Sequence, residues 1–205
     1  RYIQNHTQAF ISGLGYQCIG QVPSNGLGVA PGFGVLAGHG ELSRLNRIIT
    51  PEYGPMVQTF FMITDLPVDT DQPIDAGIMK FCKVCKKCAE SCPSGALSGD
   101  DEPSWEIQGG WNNPGHRAYF ENSVACLTYW KEVGSNCSIC FSVCPFAKDD
   151  KAWIHSWAMA GVSTVPMLGG FLRSMDDAMS YGAQKNAEEW WYIDLPEFGL
   201  AQDNK

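Results

Sequence analysis

The chain has 205 residues, of which 22 are acidic and 14 are basic, so its formal net charge is -8 and its pI is about 4.9. A hydrophobic fraction of 44% excludes a disordered chain, and the length suffices for one compact domain or two small ones. Because the acidic balance opposes binding to phosphate backbones, no nucleic-acid partner is expected.

The first forty residues form an uncharged, glycine-rich stretch. Between Tyr2 and Gly40 there is no Asp, Glu, Lys or Arg, and nine residues are glycine. This composition predicts burial, while the prolines and amides in the stretch exclude a membrane span. Two interpretations stay open, a tightly packed core loop or a backbone cradle for a large flat cofactor, because glycine lets the main chain approach either neighbour.

The next segments are short. A charged helix is predicted from Glu41 to Arg47, followed by a turn at 50–55 (TPEYGP). Residues 56–64 (MVQTFFMIT) form an apolar, β-prone run that predicts a buried strand. A connection rich in Asp and Pro then leads to a predicted domain boundary near residue 75.

Eight of the nine cysteines fall into two runs between residues 82 and 144. The first run, CxxCxxCxxxCP, matches the bacterial ferredoxin pattern, in which three thiolates bind one [4Fe-4S] cluster and the fourth binds the other. The second run ends in CxxCxxxCP, and Cys126 substitutes for its first member. The crossed pattern assigns Cys82, Cys85, Cys88 and Cys144 to cluster 1, and Cys126, Cys137, Cys140 and Cys92 to cluster 2.

Zinc is the competing interpretation, because a closed zinc site also takes four ligands. Zinc gives no reason for the spacing and the terminal proline to occur twice.

Pro93 and Pro145 are predicted to start helices. Cys18, which has no cluster partner, is predicted to be a small buried hydrophobe. The lysines near the first run are interpreted as a solvated face, with an electron-donor docking patch as the alternative: Lys80, Lys83, Lys86 and Lys87.

The remaining segments flank and interrupt this cysteine region. Residues 99–115 are rich in Gly, Pro, Asp and Asn and predict an inserted loop. An amphipathic helix is predicted from Ser174 to about Trp191. A simple ferredoxin would lack the long flanks, so a cluster pair within other sequence indicates a redox enzyme with an internal electron path.

Several longer motifs link the chain to a known family. They are GLGYQCIG at 13–20, APGFGVLAGHGELSR at 30–44, TPEYGP at 50–55, TDLPV at 64–68, the two cysteine motifs, and CPFAK at 144–148. Together they resemble the corrinoid-dependent reductive dehalogenases, above all the chlorinated-ethene members and especially the vinyl-chloride reductases. Members of that family are more than twice as long, so the chain is expected to be the C-terminal part of a larger catalytic subunit, without its leader.

The resemblance implies an α/β (α+β) fold and a set of cofactors. Residues 1–75 and 149–205 would belong to a nitroreductase-like domain that binds corrinoid and substrate, and residues 76–148 to an inserted two-cluster ferredoxin-like domain. The implied cofactors are two [4Fe-4S] clusters and a base-off corrinoid, since no D-x-H-x-x-G motif surrounds any of the four histidines. The implied reaction is reductive dehalogenation of a chlorinated organic compound, and a chlorinated ethene is the expected substrate.

The resemblance also assigns roles to individual residues. Tyr2 matches the proton-donating tyrosine, with Tyr16 as the fallback, and Asn25 matches an active-site asparagine. The simpler alternatives are a packed aromatic ring for Tyr2 and a turn before a glycine for Asn25. Gln58 stands where some members have a basic residue, which leaves the substrate-side cation open. The implied cofactor-binding residues, for several of which core packing is the alternative, are Gly32, Gly34, Gly38, Gly40, Thr50, Pro51, Trp130, Trp153 and His155.

Partners and location follow from resemblance alone. The family implies a small halogenated substrate, an electron donor and a small membrane-anchor subunit, with twin-arginine export to the outer face of the cell membrane. One rival is an epoxyqueuosine reductase, which binds transfer RNA and is disfavoured by the negative charge. The other is a non-catalytic ferredoxin-type electron carrier, which the long flanks oppose.

Overall fold

The computed structural model describes residues 2–21, 26, 28–147, 161, 168–180, 183, 186, 188–189 and 192. Its strands are β1 (Cys18–Gly20), β2 (Glu41–Leu42), β3 (Ile48–Ile49) and β4 (Met62–Thr64). Its helices are α1 (Tyr2–Gly13), α2 (Ala30–Leu36), α3 (Ile78–Cys85), α4 (Lys87–Glu90), α5 (Ser123–Val133), α6 (Ile139–Ser142) and α7 (Leu168–Ala178), with a 3-10 helix at Pro145–Ala147. The predicted mixture of helix and strand is confirmed.

The four strands form two antiparallel pairs, β1 with β4 and β2 with β3. The predicted strand over 56–64 is wrong except for Met62–Thr64, because the partner strand β1 offers only three residues for pairing. The predicted helix over 41–47 is also wrong. This segment starts as β2 and turns back into β3, and the turn closes where the Ser43 N–H donates to the Arg47 carbonyl at 3.0 Å.

The turn at 50–55 is confirmed, and it shows why a glycine stands there. The backbones of Thr50 and Gly54 exchange hydrogen bonds of 3.0 and 2.9 Å. Gly54 has a φ of +57°, and a Cβ on it would lie 1.8 Å from the Phe146 carbonyl oxygen. Only glycine tolerates both conditions, so this turn can pack directly against the segment that follows Cys144.

A single core joins the β2–β3 hairpin to the cysteine region. Phe81 and Phe146 meet edge to face at 5.3 Å between ring centroids, and Leu172 on α7 packs against the same cluster. The core therefore draws on all three of the predicted domain ranges, and the division into domains stays a prediction. The buried members of the core are Leu45, Ile49, Ile78, Phe81, Cys82, Cys85, Cys88, Val143, Cys144 and Phe146.

Two further predictions concern the cysteine region and the end of the chain. The inserted loop is confirmed, since 99–115 carries no helix or strand and is tied down by a bridge between Ser104 and Ala118. The late helix, predicted from Ser174 to about Trp191, begins earlier, since α7 covers Leu168–Ala178, while much of 181–191 lies outside the described residues. Within the described part of the chain, no helix combines the length and apolar character that crossing a membrane requires.

Candidate iron-sulfur and cofactor site

Four cysteine side chains line one small cavity, which we call the set 1 cavity. It encloses about 300 Å³ of empty space, part of it open to solvent, and apolar side chains such as Leu45 and Phe81 form other walls. Lys86 adopts a φ of 54° between α3 and α4, so the CxxCxxC segment reverses direction around the cavity. The four cysteines, called set 1, are those predicted for cluster 1: Cys82, Cys85, Cys88 and Cys144.

The other four cysteines, called set 2, lie beside set 1 and are more exposed. The thiol of Cys126 on α5 interacts electrostatically with Cys92 and Cys137, and that of Cys140 on α6 interacts with all three. These are the cysteines predicted for cluster 2. Cys88 of set 1 also interacts with Cys140, so the two sets adjoin.

Burial controls the protonation of most of these thiols. It raises the pKa of Cys82 and of Cys88 to about 12, and that of Cys140 to about 11. In the metal-free protein these thiols are protonated at neutral pH, and binding of a metal group must displace the protons.

Cys92 differs from the other thiols. Burial acts to raise its pKa, but hydrogen bonds from the Ser94 hydroxyl and from the backbone N–H groups of Ala96, Leu97 and Ser94 outweigh it and lower the pKa. The Ser94 Oγ lies 3.4 Å from the Cys92 Sγ. Donors directed at a thiolate are a feature of iron-sulfur sites, where they tune the cluster.

The spacing of the thiols fits clusters better than single ions. In the described part of the chain, no three His, Cys, Asp or Glu side chains stand close enough to share one metal ion. Tetrahedral zinc would need four sulfurs at about 2.3 Å from one centre. A [4Fe-4S] cluster places its irons and sulfides between the ligands, so it tolerates thiolates that lie farther apart. The residues present therefore fit two such clusters.

The lysines around the first run are paired with carboxylates, and Lys80 and Lys83 are exposed as expected for a solvated face. Lys80 pairs with Asp75 at 2.6 Å and Lys83 with Glu102 at 2.7 Å, while Lys86 pairs with Asp101. Lys87 is only 9% exposed and pairs with Asp176 and Asp177 on α7. These pairs leave little unneutralised positive charge for docking a partner.

A second, larger cavity opens beside the glycine-rich stretch. It holds about 1280 Å³ of empty space, including open solvent. Phe33 and Phe61 stack at 4.4 Å between ring centroids on its wall. Of the residues predicted to bind corrinoid, its lining includes Gly34, Gly38, Thr50 and Pro51.

The glycines at this cavity also serve tight backbone packing. Gly38 has a φ of +68°, and a Cβ there would lie 2.6 Å from the Gln72 carbonyl oxygen. At Gly40 a Cβ would lie 2.0 Å from the Ile49 carbonyl oxygen, whereas at Gly32 it would meet nothing closer than 3.9 Å. The two interpretations of the stretch therefore both have structural support, because Gly38 packs against protein and also lines the large hollow, whereas Gly32 and Gly40 do not line it.

The structure places the other predicted site residues as follows. Tyr2 begins α1, is 75% exposed, and its ring centroid lies 4.0 Å from that of His6. Trp130 lies on α5 one turn beyond Cys126, and its indole nitrogen has no hydrogen-bond partner among the described residues. Cys18 is buried, with its Sγ 3.7 Å from the Met62 Sδ, as expected for a small hydrophobe. Asn25, Trp153 and His155 lie outside the described residues.

The sequence interpretation missed two charged residues near this site, the buried Arg44 and the partly buried Glu41. Arg44 is 1% exposed and borders the set 1 cavity, and Glu41 accepts the Ile78 N–H at 2.5 Å at the start of α3. Burial raises the pKa of the Glu41 carboxyl, an effect that this hydrogen bond partly offsets. A signal was present, because Glu41 directly follows the uncharged stretch and Arg44 is the first basic residue after Arg1.

Comparison with known proteins agrees with this site. A family model described as a 4Fe-4S double cluster binding domain matches residues 81–147. The tetrachloroethene reductive dehalogenase of Sulfurospirillum multivorans is 38% identical over 196 residues, which cover 95% of this chain and 38% of the relative. The trichloroethene reductive dehalogenase of Dehalococcoides mccartyi is 38% identical over 210 residues, which cover 98% of this chain and 35% of the relative.

A structural neighbour and a more distant relative complete the comparison. A solved reductive dehalogenase, described as suggesting a mechanism for B12-dependent dehalogenation, superposes with a TM-score of 0.75 at 27% identity, covering 86% of this chain and 25% of that one. The epoxyqueuosine reductase of Bacillus subtilis is 30% identical over 131 residues, which cover 58% of this chain and 29% of the relative. The chain thus spans well under half the length of these relatives.

Proposed function

Because 95% of the chain aligns with a tetrachloroethene reductive dehalogenase at 38% identity, we propose that it belongs to that family and is the part of such an enzyme that carries electrons through two [4Fe-4S] clusters to a corrinoid, for the dehalogenation of a chlorinated ethene. The observation that carries this proposal is the sorting of eight thiols into two crossed sets, one of which surrounds a cavity. The double-cluster match over 81–147 supports the same assignment.

The positions of the two sets suggest the direction of electron flow. Set 2 is more exposed and suits entry from an external donor, whereas set 1 is buried in the shared core. Ile49 borders the set 1 cavity, and its neighbour Thr50 borders the larger cavity. Among the described residues, β3 and its turn thus lie between cluster 1 and the hollow where the corrinoid would lie, and electrons would pass from set 2 through set 1 to that hollow.

The larger cavity is where the chain would hold the corrinoid, which when bound supplies a reduced cobalt centre for carbon–halogen cleavage. The backbone around Gly34 and Gly38 would lie against the ring, and the stacked Phe33 and Phe61 would keep water from one side. Without the open solvent, about 580 Å³ of the cavity is available to a ligand, which lies within the roughly 300–1,000 Å³ of an ordinary small-molecule pocket. Gly32, Gly40, Trp130, Trp153 and His155 are further proposed contacts.

Two residues are proposed to act on the substrate. The Tyr2 hydroxyl would donate the proton that replaces the halogen on carbon, and the Asn25 amide would orient the carbon–halogen bond. The tilted ring of His6, 4.0 Å from the Tyr2 ring between centroids, would hold the phenol in place. For the whole protein, the family resemblance supports an external electron donor, a small membrane-anchor subunit and export to the outer face of the cell membrane.

Anaerobic purification of the full-length protein, with iron, sulfide and cobalt quantified, tests the proposal. We expect about eight irons and one cobalt per chain, and chloride release from a chlorinated ethene with a reduced dye as donor. Cys126→Ala should lower the iron content, whereas Cys18→Ala should not, because Cys18 belongs to neither set. Eight irons without cobalt and without chloride release would instead identify an electron carrier.

A further inference from the structure

Arg44 is a buried charge whose hydrogen-bond partners are all neutral. Its Nε donates to the Cys82 carbonyl at 3.0 Å, and its Nη1 donates to the carbonyls of Ser98 and Asp100 at 2.7 and 2.8 Å. The guanidinium lies 3.9 Å from the centre of the Tyr119 ring. These contacts fix its orientation but do not neutralise it, and a buried charge without a counter-charge destabilises the fold.

One donor of this guanidinium remains unused. Nη2 is buried and has no hydrogen-bond partner within the described part of the chain, and Arg44 borders the set 1 cavity. Three acidic side chains of neighbouring segments make their hydrogen bonds elsewhere: Asp100 to the Ser98 hydroxyl, Glu41 to the Ile78 N–H, and Asp101 to Lys86. Asp101 also interacts electrostatically with Arg44, but its side chain is 91% exposed, so solvent screens this interaction. An anion in the cavity would complete the environment of Arg44.

We propose that Nη2 of Arg44 donates a hydrogen bond to a sulfur of cluster 1, and that the Arg44 charge raises the reduction potential of cluster 1 above that of cluster 2. This inference rests on the proposed function, because it requires set 1 to hold a [4Fe-4S] cluster. A cluster with four thiolates is an anion that becomes more negative on reduction, so a fixed buried cation stabilises the reduced form more.

The other cations near the two sets do not provide the same effect. Arg173 and Lys87 both interact with Cys85 of set 1. Carboxylates neutralise both of them, Glu90 and Asp177 at Arg173, and Asp176 and Asp177 at Lys87. Arg47 interacts with Cys126 of set 2, but its side chain is 46% exposed and pairs with Glu121, so solvent screens it. A difference in potential between the clusters follows, and it favours electron transfer from set 2 towards set 1.

The test is a redox titration of both clusters in the full-length protein, followed by electron paramagnetic resonance. Arg44→Gln should shift the potential of one cluster to a more negative value and leave the other unchanged, with the iron content preserved. Arg44→Lys, which keeps the charge but not the fork of donors, should give a smaller shift. Arg117→Gln is the matched control, because it removes an arginine that is 47% exposed and pairs with Glu102.

The outcomes separate this inference from the proposed function. Two intact clusters with unchanged potentials in Arg44→Gln would overturn the inference alone, whereas a wild-type protein without clusters would overturn the proposed function. If Arg44→Gln loses its iron, pulsed electron paramagnetic resonance on protein with ¹⁵N-labelled arginine tests the hydrogen bond directly. A coupling between ¹⁵N and a reduced cluster supports the hydrogen bond if it is also present in Arg173→Lys, because Arg173 is then not its source. Absence of this coupling from the wild type refutes the hydrogen bond.

Discussion

Tyr2 combines an exposed hydroxyl with an aromatic ring held against His6 at the start of α1. If it donates the proton, Tyr2→Phe should lower turnover of the full-length enzyme by about 10²- to 10⁴-fold, the usual effect of losing a general acid. Iron and cobalt contents should not change, since Tyr2 contacts neither cysteine set. Tyr16→Phe is the control: full activity in Tyr2→Phe together with loss in Tyr16→Phe would transfer the role to Tyr16.

The grouping of single residues could be predicted from the sequence where a cofactor fixes the spacing of its ligands. It was less predictable where contacts between distant segments determine which residues pair. The two cysteine runs indicated their partition, because ligand spacing follows from the cluster. Three of the four lysines did not indicate their pairing, because their partners Asp101, Glu102 and Asp176 lie in other segments, whereas the partner of Lys80, Asp75, is close in sequence. Pro145 starts a 3-10 helix as predicted, whereas Pro93 lies in a turn closed by the Gly95 N–H on the Cys92 carbonyl at 3.1 Å.

At the scale of elements, Glu41 on β2 replaces a local cap for α3. Gly77 precedes the helix without a capping side chain, and the Glu41 carboxylate accepts the Ile78 N–H instead. Because burial raises the pKa of Glu41, the ionised form costs stability at neutral pH. The stability due to this group is fully present below its ordinary pKa of 4.5 and is lost as the pH rises through the higher folded value.

The loss of stability on ionisation of Glu41 gives a prediction for Glu41→Gln, which keeps an oxygen that can accept the Ile78 N–H. The variant should melt at a higher temperature than the wild type at about pH 8, and the difference should shrink as the pH falls towards about 5.5. Melting curves of the cluster-loaded protein across this range measure it. A difference that stays constant with pH would contradict the assignment of the raised pKa to Glu41.

The contact between α4 and α7 depends on a buried ion pair between Lys87 and Asp176. Lys87 and Asp176 side chains are each 10% exposed, and removing one partner of such a pair typically costs about 3 kcal/mol. Lys87→Met should therefore weaken the docking of α7, and adding Asp176→Leu should restore part of it by replacing charge with apolar contact. Hydrogen exchange of residues 168–178 provides the measurement.

Arg173→Gln supplies the comparison on the same helix. Arg173 pairs with Glu90, whose side chain is 52% exposed, so its loss should cost only about 0.2–1 kcal/mol. Equal exchange in Lys87→Met and Arg173→Gln would mean that the buried pair does not hold α7. The sequence could predict a helix in this part of the chain, but its placement depends on Lys87, which is distant in sequence.

At the scale of the whole molecule, the chain consists of parts that depend to different degrees on the clusters. The set 1 cysteines sit within the core that also holds Leu45, Ile49 and Leu172. In contrast, α1 and the β1–β4 pair are joined by their own contacts, in which Gln4 and Gln8 donate to the carbonyls of Gln21 and Cys18 at 2.7 and 2.9 Å. Sequence motifs identified both regions, but not the shared core, because that core combines side chains from distant segments.

Removal of iron should therefore destabilise the core that contains the set 1 cysteines more than α1 and the β1–β4 pair. Without clusters, the four set 1 thiols lose the group that holds them together, and metal binding free energy is folding free energy in such sites. We expect anaerobic chelation to increase hydrogen exchange across residues 78–92, 137–147 and the β2–β3 hairpin, while residues 2–20 and 62–64 stay protected. Uniform exchange over all these segments would contradict this division, because it would mean that the clusters stabilise the whole described structure and not chiefly the core that contains their ligands.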